Sequence, residues 1–147
     1  MAITVAWYGQ GLLACMKNDA DLETLDLYLA LVTNSYTPDR DAHDFWNDVV
    51  ANELGSGNGY TTNGYDVTGA ALSYDSGSDQ IRLDINDPTW TFTASKTWRY
   101  GVLYERTSGT DATRRLFGLL TWDSDQTVST AYTLQIDAAG LLYIDTT

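Results

Sequence analysis

Residues that trade protons, electrons or metal ions are scarce in this chain. His43 is the only histidine and Cys15 the only cysteine. A histidine-based triad or metal cluster therefore has one available member, and no serine elbow or second ligand stands at a useful spacing. His43, between Ala42 and Asp44 in an acidic stretch, reads as a solvated helix residue. Cys15 sits in the apolar run Leu12-Leu13-Ala14-Cys15-Met16 and reads as a buried, inert thiol; being alone, it excludes an intrachain disulfide. Carboxylates are plentiful. Asp84 and Asp87 beside Trp90 are the pair that sugar cleavage would require, although Asp87-Pro88 is also a natural turn initiator. Asp75, Ser76, Ser78 and Asp79 concentrate oxygen donors, as do Asp123 and Asp125, but neither stretch matches the calcium loop that ends in a bidentate glutamate. Both read as polar turns at strand ends. The expectation is a protein that is not an enzyme, with no catalytic residue, no metal and no cofactor.

Charge points the same way. The formal net charge is −12 with only eight basic residues, and neutralising phosphates or anionic lipid needs clustered Lys and Arg. Neither nucleic acid nor membrane is an expected partner. Arg99, Arg106, Arg114 and Arg115 fall in one region that would line up on neighbouring strands, which reads as charge balancing. No apolar run approaches membrane-spanning length, and no basic n-region precedes an apolar core at the start, so a soluble product made in the cytoplasm is expected. The 147 residues suit a single domain, 1–147, held by packing alone.

The elements that must position these residues read as mainly β. Leu25 to Val32 forms a strand with Leu25, Leu27, Leu29 and Leu31 on one face and Tyr28, Ala30 and Val32 on the other, as expected inside a layered domain. Thr37 suits an N-cap and Pro38 a first helical position, with Asp39 and Asp41 in the first turn, which predicts a short α-helix over about 38–51. Gly55 to Gly64 reads as a flexible loop. Ile81, Leu83 and Ile85 alternate with polar residues as a strand with one dry face, linked to the Val67–Tyr74 run by a hairpin-length turn. Further runs cover Trp90–Thr93, Trp98–Glu105, Arg114–Trp122, Thr130–Asp137 and Leu141–Ile144, broken at Ser108–Asp111, Asp123–Asp125 and Ala138–Gly140. Trp98, Tyr100, Val102 and Tyr104 are expected on one face of their strand, and Tyr132, Leu134 and Ile136 on one face of theirs. The economical architecture is an antiparallel β-sandwich or jelly-roll-like module, with a second short helix at Gly11–Lys17 as an option.

Five tryptophans and ten tyrosines exceed what a core of this size calls for, so some are expected at an interface, where rigid amphipathic rings bury much area at small entropic cost. Trp7, Tyr8, Tyr36, Trp46 and Tyr60 lie near loops or helix surfaces and are the candidate interface residues.

The run Leu31-Val32-Thr33-Asn34-Ser35-Tyr36-Thr37-Pro38-Asp39, followed by Asp41-Ala42-His43-Asp44-Phe45, resembles a family of small structural proteins of tailed-bacteriophage virions. The likeness takes in Tyr8-Gly9-Gln10-Gly11-Leu12-Leu13, Asn52-Glu53 with Gly57-Asn58-Gly59-Tyr60-Thr61, Asp87-Pro88-Thr89-Trp90 and Arg99-Tyr100-Gly101-Val102-Leu103-Tyr104, in order along most of the chain. It implies a capsid decoration (cement) protein on the outer surface of the phage head, with the major capsid protein as partner and self-association as a trimer or dimer. The Gly-rich 55–64 loop and the N-terminal segment are the expected docking parts. The alternatives are a tail or head-fibre component for host adsorption and a carbohydrate-binding β-sandwich.

Overall fold

In the computed structural model, residues 2–107 and 109–146 are described. Among the described residues ten strands and one α-helix follow in order: β1 (Ile3–Trp7), α1 (Gly9–Met16), β2 (Leu27–Val32), β3 (Tyr65–Asp66), β4 (Ala71–Asp75), β5 (Gln80–Asp84), β6 (Thr89–Thr91), β7 (Lys96–Glu105), β8 (Leu116–Val128), β9 (Ala131–Thr133) and β10 (Leu142–Asp145). All pairings among them are antiparallel, and the chain is mainly β, as its alternating runs predict.

The main sheet has the order β1-β8-β7-β2-β3. Against one face lies a second layer built from an interrupted ribbon, in which β5 and β6 run antiparallel to β10 and β9, with β4 added outside β5. The larger core fills this sandwich and takes Leu27, Leu29 and Leu31 from β2, Phe117, Leu120 and Trp122 from β8, and Leu83, Trp90, Leu134 and Leu142 from the second layer. The opposite face of the main sheet is also dry. There Ala30, Val32, Val102 and Tyr104 pack under Tyr8, Tyr36, Trp46 and Val49. β2 thus buries both faces, which is why its sequence is apolar at nearly every position.

Several sequence expectations are corrected here. The helix over 38–51 does not form. Asp39 Oδ1 accepts from the backbone N–H groups of Asp41 and Ala42, and a single turn closes with His43 N–H donating to the Asp39 carbonyl. The chain then extends and pairs with the approach to β8: Leu116 N–H donates to the Asp44 carbonyl and Trp46 N–H to that of Arg114. Only two 3₁₀ turns follow, Trp46–Asp48 and Val50–Asn52. Tertiary pairing that draws Trp46 into the core outweighs the local helix signal. The α-helix lies at Gly9–Met16, where the second, optional helix was read.

β8 runs straight through Asp123–Asp125, where a break was expected, and continues to Val128. Its pairing with β7 slips between Trp98 and Tyr100, so Trp98 packs in the larger core while Tyr100, Val102 and Tyr104 join the smaller one. Tyr132, Leu134 and Ile136 do share the larger core. Of the break at Ser108–Asp111, Ser108 lies outside the described residues.

The loop at 55–64 is tied down. Gly57 and Tyr60 exchange backbone hydrogen bonds around Asn58 and Gly59, both at positive φ, a two-residue hairpin turn. A Cβ on Gly59 would stand 1.9 Å from the Thr91 carbonyl oxygen, so the turn nests on the second layer only because that position has no side chain.

Candidate functional site

The sequence candidates for chemistry each take part in local contacts. Asp84 Oδ1 accepts from the N–H of Ile85 and Asp87 Oδ1 from that of Ile136 at 2.9 Å, so Asp87 fastens the turn before β6 to the segment after β9. Trp90 is 5% exposed and packs between Tyr65 and Tyr132, which removes the ring platform a sugar would need. Asp75 pairs with Arg82 at 2.6 Å and accepts from Gly77 N–H, and those contacts hold its carboxyl below the ordinary range, the Gly77 bond most of all. Asp79 accepts from the Tyr74 hydroxyl. Asp123 accepts from the Ala2 N–H and is held low chiefly by that bond, while Asp125 accepts from Asn34 and pairs with Arg99. Among the described residues no three His, Cys, Asp or Glu side chains gather as a metal-ligand set.

Two buried polar threads were not legible in the sequence. In the smaller core the hydroxyls of Tyr8 and Tyr36 lie 2.9 Å apart, and Tyr36 Oη lies 2.8 Å from His43 Nδ1. His43 is therefore a half-buried member of a hydrogen-bonded chain rather than a solvated helix residue. Burial pushes the Tyr36 phenol up to about 12 and that of Tyr8 higher still, so both hold their protons at neutral pH. In the second thread Glu53 Oε1 accepts from the Tyr60 hydroxyl at 2.9 Å and from Asn63 N–H at 2.6 Å, while Tyr60 Oη accepts from the N–H of Leu31. Desolvation pushes the Glu53 carboxyl up to about 7 against those two hydrogen bonds. The thread sews the 53–64 segment to β2.

Of the candidate interface residues, Tyr8, Tyr36, Trp46 and Tyr60 are buried in the cores and present no ring to a partner. Trp7 is half-buried and donates its indole N–H to the Tyr143 carbonyl at 3.0 Å, closing β1 onto β10. These rings buried themselves because the main sheet has two faces to cover, which doubles the aromatic demand. The arginines do not form one patch: Arg106 lies over the Tyr28 ring, Arg115 over Phe45, Arg114 pairs with Asp111, and Arg99 stands toward the other end of β7 with Asp125. Cys15 is half-buried beside the larger core, and burial raises its thiol.

The surface that remains for binding lies elsewhere. Leu72 and Tyr74 on β4 and Ile81 on β5 share the inner face of the second layer, but at the end where the sandwich opens. Ile81, expected dry, is exposed, and so are Met16 (76%) and Tyr74 (59%). Between α1 and these strands runs an apolar cleft of about 130 Å³ lined by Trp7, Met16, Leu22, Leu72, Ile81 and Ile144, among others. Alternation in sequence marks which residues share a face and cannot tell where a covering layer stops, so this rim was invisible to it.

No helix is long and apolar enough among the described residues to cross a membrane. The class defined by fold and surface is a mainly β, antiparallel sandwich with an open apolar rim. Compared with protein-family profiles, curated proteins and solved structures, the chain finds no match.

Proposed function

We propose that this chain is a structural protein of a tailed-bacteriophage virion, a decoration protein that binds the outer surface of the head and stabilises it. The observation that carries the reading is the apolar rim formed by Met16, Leu72, Tyr74 and Ile81 on an otherwise acidic sandwich. Contiguous exposed apolar surface rimmed by polar residues marks an interaction site. The resemblance carried by the Leu31–Phe45 run and its companions supplies the setting, with the major capsid protein as partner and self-association about a symmetry axis. The work is mass action: a protein that binds the assembled shell and not its parts stabilises the shell, and many copies multiply a modest single-site term.

The test is copy number and location on purified particles. Hundreds of copies spread over the head, and heads that lose heat resistance when the protein is stripped and regain it on re-addition, are the expected results. A handful of copies confined to the tail would move the protein to host adsorption, and no affinity for mature particles at micromolar concentration would end the virion reading.

A further inference from the structure

We propose that the outer edge of β4, with the apolar rim beside it, is a strand-addition site that takes an extended segment of a partner protein, apolar at alternate positions and carrying lysine or arginine at its flanks. The inference rests on the adhesive reading above and names the contact that would serve it.

β4 ends its three-stranded sheet, pairing with β5 on one side only, and Ala71 to Tyr74 are all exposed. The Leu72 N–H points away from β5, because it donates 2.8 Å to Glu23 Oε1. In an antiparallel ladder the bonded direction alternates, so the Tyr74 N–H and carbonyl point outward as well. The edge thus offers a row of backbone groups spaced for a new strand, with the exposed Glu23 bonded to one of them. Two other edges differ. β10 is closed by the Trp7 indole on the Tyr143 carbonyl, and β3 has only two residues. A strand added to β4 sets its alternate side chains beside Leu72, which lines the cleft, and Tyr74, which pairs with Ile81 across the ladder.

Charge chooses the occupant. Asp21 and Glu23 flank the edge, Asp75 and Asp79 stand at its end, and Arg82 is already held by Asp75. A second copy centred on Ser73 would place Leu72 opposite Tyr74 but would join two chains of net charge −12 at their acidic flanks. A strand with cationic ends meets the same backbone row with attraction in place of repulsion.

The probe is a capped peptide of alternating valine and threonine with lysine at each end, titrated into the full chain while amide exchange is followed. Binding with slowed exchange at the Leu72 and Tyr74 N–H groups is expected. Affinity should fall at least about tenfold on Tyr74→Pro, which deletes an outward donor, and on exchange of the peptide's lysines for glutamate. Thr4→Lys, on the exposed face of β1, should leave it unchanged. If Tyr74→Pro fails to fold, Leu72→Gln, which removes the apolar contact without adding charge, lowers affinity with the backbone intact. Absent protection at those amides, equal binding of the glutamate peptide, or a dimer that Tyr74→Pro abolishes in a chain that ignores the peptide would each overturn the assignment. Head binding separates the two readings. If Tyr74→Pro and Leu72→Gln both bind heads like the unmodified chain, the edge falls and decoration survives; if the unmodified chain ignores heads yet takes the peptide at β4, decoration falls and the edge stands.

Discussion

Trp46 lies flat on Tyr104, ring centroids 4.0 Å apart and planes 6° from parallel, and the pair anchors the irregular 33–54 segment to the main sheet. Trp46→Ala should lower unfolding free energy by about 3–5 kcal/mol, read from the denaturant midpoint, because the void cannot collapse against a sheet. Trp90→Ala should cost about as much, since Trp90 is equally core; a Trp90→Ala chain of undiminished stability would contradict its place between Tyr65 and Tyr132. Glu53 gives a pH signature. Its folded value, raised to about 7 by burial, exceeds the ordinary 4.5, so the folded state binds the extra proton between those values. Stability on this account is full below about 4.5 and falls as pH rises to about 7, by on the order of 1–2 kcal/mol after allowance for solvent screening. Glu53→Gln should flatten that slope. Asp75 and Asp123, held low, act in the opposite sense: what they contribute is present above the ordinary 3.8 and is lost as pH falls below it.

At the scale of elements, α1 is placed by a glycine. A Cβ on Gly11 would stand 2.0 Å from the Leu116 carbonyl oxygen, so the helix touches β8 backbone to backbone. Gly11→Ala must push α1 off the sheet and should cost more than about 2 kcal/mol. Gly9→Ala meets only the Arg40 carbonyl, at an ordinary 3.6 Å, and should be neutral or stabilise by up to about 1 kcal/mol through helix propensity. Thermal melts of the two variants check the contrast. The two glycines argue against a helix by propensity alone, and the packing of Gly11 on Leu116 explains why one forms there. The 38–51 stretch is the converse case: Thr37, Pro38 and Asp39 signal a start, yet the partner that stops the helix, the backbone at 114–116, is some seventy residues distant in sequence.

For the whole molecule, β2, β7 and β8 stand between both cores while β4 caps the outer layer. Native-state hydrogen exchange should therefore find its slowest amides in β2, β7 and β8 and its fastest strand amides in β4; uniform protection would contradict the layered picture. The mainly β class was readable from the sequence, as were the positions of β2, β5 and β7 and the doubly apolar character of β2, because strand alternation and side-chain type are local properties. Only the tertiary structure decided which aromatics face solvent, which face Trp98 takes, and where the sandwich opens. A register slip inverts every side chain beyond it, and burial depends on which layer lies overhead; both are set by partners remote along the chain, and no window of neighbouring residues contains them.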